Sequence, residues 1–162
     1  MDIVDNSARL LMQIPDDWDS IFGDRGLLVG AQLPGGELQK LDLGNADLSN
    51  ACLVGANLYG AFLNSAVLRH VNLEGACLAG ADLEDADLSF ANLTDADVGR
   101  DALGRGARLG GANLTGANLT NTRFEGAFYD SATIFPEGFR PEDHGMEFHG
   151  FELFGETPQY LQ

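Results

Sequence analysis

The residues best equipped for chemistry are few. "HGMEFH" places His144, Glu147 and His149 close together, and two imidazoles with a carboxylate can hold a metal ion. A solvated tail is the simpler reading, so no metal and no cofactor are expected. His70 is the remaining histidine. No local motif brings a nucleophile, a base and an orienting acid together, so enzymatic activity is not expected. Cys52 and Cys77 are the two cysteines, which gives no disulfide framework. The glycines recur periodically as turn residues, unlike a phosphate-binding loop.

Charge is the next feature. The formal net charge is −16 over 162 residues. Six acids and two arginines fall in residues 1–25, thirteen acids and six bases in 26–136, and six acids with Arg140 in 137–162. The termini are therefore denser in acid than the middle. Such a balance discourages direct binding to nucleic acid or to an anionic membrane. The apolar runs are too short to span a bilayer. "MDIVDNSARLLMQIPDD" has neither a basic start nor a cleavable apolar stretch, so a cytoplasmic address is expected.

A repeat must position all of these side chains. From Leu28 to Leu103 an apolar residue falls at every fifth position. After one extra residue the series resumes at Leu109, Leu114, Leu119, Phe124, Tyr129 and Ile134. With this residue denoted i, alanine dominates i−2, as at Ala46, Ala51, Ala56 and Ala61. In an extended segment i and i−2 point to the same side. The residue between them, mostly Asp or Asn, points outward. Because five is odd, an unbroken strand would send the next i to the opposite side. The chain must turn once per pentad, at i+1 and i+2, where pairs such as Ser49-Asn50, Val54-Gly55 and Glu74-Gly75 supply turn chemistry. Repeated turns in one sense make a coil, and stacked coils make a solenoid.

This series, with Leu or finally Val at every fifth position from Ala46 to Val98, resembles the pentapeptide-repeat family, whose motif is A(D/N)LXX, over residues 26–136. The resemblance implies an all-β fold, a right-handed quadrilateral β-helix with four pentads per coil. At roughly 4.8 Å per coil the tower would stand on the order of 26 Å tall. Both ends of such a tower need covers. Residues 1–25 are expected to form a short helical cap. Asn6 or Ser7 can N-cap one helix, and Pro15 with two following aspartates suits the start of a second. Leu10, Leu11, Ile14, Trp18, Ile21 and Phe22 would cover the first coil. Residues 137–162 form a capping or docking segment. "TIFPEGFRPEDHGMEF" resembles the terminal segment common in cyanobacterial members of the family. Phe148, Phe151 and Phe154 recur every third position there, which favours self-capping, with a homodimer through a tower end as the alternative.

Stacking residues twenty apart gives columns. One is an asparagine ladder of Asn72, Asn92 and Asn113. Others read Asp42, Phe62, Asp82, Ala102 and Asp47, Val67, Asp87, Arg108, which keeps like charges apart. The arithmetic sets Arg105 above Asp85 and Arg108 above Asp87, as ion pairs over an acidic coil. The sharper alternative makes Arg100 and Arg105 a basic docking spot. "DADVGRDALGRGARLGG" breaks the register with Asp101 at an alanine position. A bulge with Asp101 swung outward is expected, eased by Gly99, Gly104 and Gly106. It reads either as a tolerated insertion or as a recognition loop.

Outward apolar residues mark a partner site. Phe62, Val67 and Phe90 lie on adjoining faces with Arg69 and His70 beside them, which is interface chemistry. Val54 and Tyr59 lie on the other two faces. Two functions follow. The first is a non-enzymatic rigid scaffold for a protein partner, regulatory or assembly-related, without direct contact to nucleic acid or membrane. The second, implied by gyrase-protecting relatives in the family, is an acidic DNA mimic acting on a topoisomerase.

Overall fold

The computed structural model describes residues 2–4, 7, 9–13 and 28–150. The repeat forms a four-sided β-solenoid. Each pentad makes one side, and single parallel bridges join residues twenty apart. The first side carries Gln32, Cys52, Asn72, Asn92 and Asn118, and the second Glu37, Asn57, Cys77, Asp97 and Arg123. The third carries Asp42, Phe62, Asp82, Arg108 and Phe128, and the fourth Asp47, Val67, Asp87, Asn113 and Ile134. Two backbone bonds close each rung: Leu63 N–H donates to Asp82 O (2.7 Å), and Asp82 N–H to Ala61 O (2.9 Å). Inside, the central leucines and the i−2 alanines form one continuous apolar column, with Leu48 through Leu88 fully buried.

The turns explain the outer Asp or Asn. Its side-chain oxygen accepts the N–H two residues on, as from Gly44 to Asp42 (3.0 Å), Ser49 to Asp47 (2.9 Å) and Thr94 to Asn92 (3.2 Å). That is an Asx turn at the corner. The next residue, i+2, takes positive φ: Gly55, Gly60 and Gly75 do so without a Cβ penalty, and Asn45, Asn50, His70 and Phe90 adopt it despite one.

The break at 101 is larger than one residue. Bridge spacing rises from twenty to twenty-six at Asp82–Arg108, so six residues are looped out. Leu103, read from sequence as a core rung, is 75% exposed on that loop. Asp101 does not swing outward: its side chain is fully buried. It accepts from the backbone amides of Leu103 (2.8 Å) and Arg105 (2.8 Å) and from Arg105 Nε (2.7 Å). A buried carboxylate is tolerable once so many donors meet it. A second extra residue falls at 130–133, where Asp130 Oδ1 accepts from Ala132 (2.9 Å) and Thr133 (3.0 Å). Ile134 therefore takes an outward position, bridged to Asn113, and Phe135 turns toward the core instead.

The ends differ from the sequence expectation at the base. Asp2–Val4 (β1) pairs antiparallel with Leu10–Gln13 (β2). The segment expected to be the first helix is thus a strand. Ile3 is buried against the core, while Leu10, paired with Val4, is half exposed. Val4 O accepts from Glu37 N–H (2.8 Å), which docks β1 under the second side. The helix expected from Pro15, with Trp18, Ile21 and Phe22, lies outside the described residues. At the top, Phe128–Tyr129 (β3) pairs in parallel with Glu147–Phe148 (β4). Between them a single 3-10 turn, Pro141–His144, ends at Gly145 with φ 68. Phe139 stacks on Phe135 (5.1 Å) and on His144 (4.4 Å) and meets Phe124 edge-on (5.5 Å). Met146 is buried in the same cluster.

Candidate interaction surface

Six extra residues change which side chains share a column. Asn118, not Asn113, continues Asn72 and Asn92 on the first side, and Asn113 stands on the fourth. The Asn92 amide donates to Asn72 (3.1 Å), and Asn118 to the Thr94 hydroxyl (2.9 Å). Arg108 sits above Asp82, not Asp87, and pairs with Asp82 (3.4 Å) and Glu84. Asp87 is instead met from below by Arg69. Arg123 pairs with Asp97 (3.1 Å). Arg105 is not above Asp85. It holds Asp101 across the loop. Arg100 reaches Glu147 in the top segment, passing over Gly126, where a Cβ would collide with the Arg100 side chain. The two arginines of the expected basic spot are therefore each engaged by a carboxylate of this chain.

The acids are engaged as well. Asp42, Asp47, Asp82, Asp87 and Asp97 all close Asx turns. Burial lifts the Asp87 carboxyl, but the Ser89 hydroxyl and amide with the Arg69 guanidinium outweigh it and hold it below its ordinary value. At Asp101 burial acts the same way. The Arg105 and Leu103 amides and the Arg105 guanidinium overcome it, so this carboxyl is also held low.

The apolar candidates stand in a different situation. Phe62 is 49% exposed on the third side, just before the corner at Asn64–Ser65. Val67 follows on the fourth side, half-buried, with Arg69 and His70 exposed at its far corner. One coil up, Phe90 is 57% exposed and stacks on His70 at 5.2 Å with planes 10° apart. Phe90 occupies the left-handed region at φ 59 and His70 at φ 55. Other levels of that corner column hold Asn50 and Gly116. The Phe90 ring lies over Gly116, where a Cβ would come within 2.7 Å of it. Bulky residues are rare in this backbone region. The fourth side thus lies between the third side, whose outer face carries Phe62, and the corner that carries the His70–Phe90 stack.

The remaining candidates disperse. Phe148 is exposed at the top and meets Tyr129 edge-on (5.4 Å). Phe151 and Phe154 lie outside the described residues. His144 packs on Phe139, His149 on Phe128 (4.2 Å), and Glu147 pairs with Arg100, so the three do not converge. Cys52 and Cys77 are free thiols on the first and second sides. A small cleft on the third side is lined by Glu84, Arg108, Phe128, Tyr129, Asp130 and His149. Its arginine is already paired with Glu84. Among the described residues no helix is long and apolar enough to cross a membrane.

Sequence reasoning missed the pentad Met146–Gly150. The signal was present: Met-Glu-Phe-His-Gly puts an apolar residue two before a central Phe and a glycine two after it. It is masked by the long break that precedes it.

Comparison with known proteins agrees with this geometry. The family profile for pentapeptide repeats matches in eight copies, over residues 27–64, 66–100 and 105–128. The chain is similar to a pentapeptide repeat protein of known structure from the cyanobacterium Nostoc Pcc 7120, at 42% identity and TM-score 0.62, over 67% of this chain and 84% of that one. It is also similar to a pentapeptide repeat protein of the Arabidopsis thaliana thylakoid lumen, at 29% identity and TM-score 0.61, over 74% of this chain and 75% of that one. No curated protein matches. These relatives imply the right-handed β-helix, and the chain belongs to the pentapeptide-repeat family.

Proposed function

We propose that the protein is a non-enzymatic scaffold that binds a protein partner through its adjoining third and fourth sides and the corner that carries the His70–Phe90 stack, in a regulatory or assembly role. The observation that carries the reading is Phe90. A half-exposed aromatic ring sits at φ 59, in backbone that costs a non-glycine residue about 1–2 kcal/mol. This is the ordinary corner backbone of the repeat, filled elsewhere mostly by Gly, Asn, Asp or Ser, so what singles out Phe90 is a large ring at such a corner for which burial gives little in return. Phe62, on the outer face of the third side, is about as exposed. Both rings stand on a continuous bonded frame, so little ordering is needed on binding. Rigid aromatics near an arginine are the usual anchors of protein interfaces.

The acidic mimic has less support. A mimic needs carboxylates presented outward as phosphates are. Here Asp82, Glu84, Asp87, Asp97 and Asp101 are each paired with an arginine. The test is affinity capture from the native host with wild-type protein and with a Phe62→Ser, Phe90→Asn double variant. The expected result is a discrete partner recovered at least ten-fold less well by the variant, since two interface anchors contribute on the order of 1–2 kcal/mol each. Equal recovery by both baits would contradict the proposal.

A further inference from the structure

Among the described residues, only the third side of the top coil gains a further strand, and the fourth side comes next along the chain. On the third side β4 completes the rung: Glu147 N–H donates to Ala127 O (2.8 Å) and His149 N–H to Tyr129 O (2.7 Å). On the fourth side the corresponding groups belong to Thr133 and Phe135. Among the described residues, nothing donates to the Thr133 carbonyl or to the Phe135 carbonyl, and the Phe135 amide has no backbone acceptor. The same edge is apolar: Ile134 is 53% exposed, and Phe135 meets Tyr129 (5.6 Å), which in turn supports the exposed Phe148. An open backbone edge beside exposed apolar side chains recruits another segment.

The sequence offers the occupant. Met146-Glu147-Phe148-His149-Gly150 is followed at once by Phe151-Glu152-Leu153-Phe154-Gly155. The order is the same in both: apolar, glutamate, apolar, one residue, glycine. The first of these pentads lies on the third side, with Met146 buried and Glu147 reaching out to Arg100. Gly150 delivers the chain to the corner that leads to the fourth side, and twelve residues follow it. We propose that the Ile134–Phe135 edge is the seat of this chain's own Phe151–Gly155 segment, which adds one more side to the tower. The segment need span no gap to reach it, so its effective concentration at the edge far exceeds that of any second copy.

The test is a thermodynamic cycle on the full chain. One variant carries Phe151→Ser, Leu153→Ser and Phe154→Ser, a second carries Ile134→Ser, and a third combines them. Melting temperature is read by calorimetry and mass by light scattering. The tail variant should melt about 5 °C below wild type, the scale of a few lost apolar contacts in a domain this size. Ile134→Ser should lower the melting temperature too, and the combined variant should melt no lower than the tail variant, because both remove one interface. All four proteins should be monomers. An unchanged melting temperature in the tail variant would overturn the proposal, as would losses that simply add. A wild-type dimer that the tail variant converts to monomers would also overturn it, by making a second copy the occupant.

Discussion

The Asp or Asn before each central leucine is first a turn former. Amide and carboxylate both accept the N–H two residues on, which is why the two alternate freely at this position. Phe90 and His70 depart from the repeat's logic in the opposite direction, because they occupy positions better suited to Asn or Gly. Phe90→Asn should therefore leave folding stability within about 1 kcal/mol of wild type in urea titration, the ordinary range for a surface change. A loss of several kcal/mol would show that the ring serves the fold. Asp101 makes a pH prediction. Its folded carboxyl is held below the ordinary value, as are those of Asp87 and Asp130. Depressed carboxyls contribute stability above the unfolded value, and that contribution disappears as pH falls through the folded one. Stability should thus change little from pH 7 to 5 and fall below about pH 4. Asp101→Asn should be weaker at pH 7 and lose less on acidification, and parallel acid curves for the two proteins would contradict this. The exposure of Phe62 and Phe90 was legible in the sequence, because the pentad period puts them at an outward position and at a corner. The buried state of Asp101 was not, because its donors come from a loop conformation that no period encodes.

The sides of the tower were legible from Leu28 to Val98, where every pentad is the same length. The breaks were not. An insertion of one pentad plus one residue looks, in the series of apolar positions, like one residue, because Leu103 fills the expected slot while standing on an exposed loop. The base failed for a related reason. Leu10–Gln13 carries helix-compatible residues but pairs with β1, and tertiary pairing overrides weak local preference. The Arg100–Glu147 pair adds to the backbone bonds that fix the top segment, and it passes over Gly126. Two glycine substitutions separate its contribution from backbone strain. Gly55 has φ 63 with open space around its α-carbon, so Gly55→Ala should cost about 1 kcal/mol. Gly126 has φ 72 and no room beside Arg100. Gly126→Ala should cost at least twice as much in thermal unfolding and speed hydrogen exchange at Glu147 and His149. Equal costs at the two sites would mean that the Arg100 bridge does not hold the segment.

One apolar column runs the height of the tower, so a single polar rung should fail globally rather than locally. Leu83 is fully buried mid-tower. Leu83→Asp places a charge there without a partner and should cost more than about 4 kcal/mol, enough to unfold the domain at 37 °C. Near-wild-type melting would remove the assigned register. At the same scale, paired acids predict no inhibition or protection of gyrase at stoichiometric protein in a supercoiling assay, whereas a salt-sensitive effect at low concentration would favour the mimic. The claim that the third and fourth sides with the exposed Phe62 and Phe90 rings form the binding surface is tested most directly by photo-cross-linking in the native host. A benzoylphenylalanine replaces Phe62, Phe90 or, on the first side, Val54. Positions 62 and 90 should give the same discrete adduct and position 54 none. Adducts from position 54 alone, or equally from all three, would contradict the account.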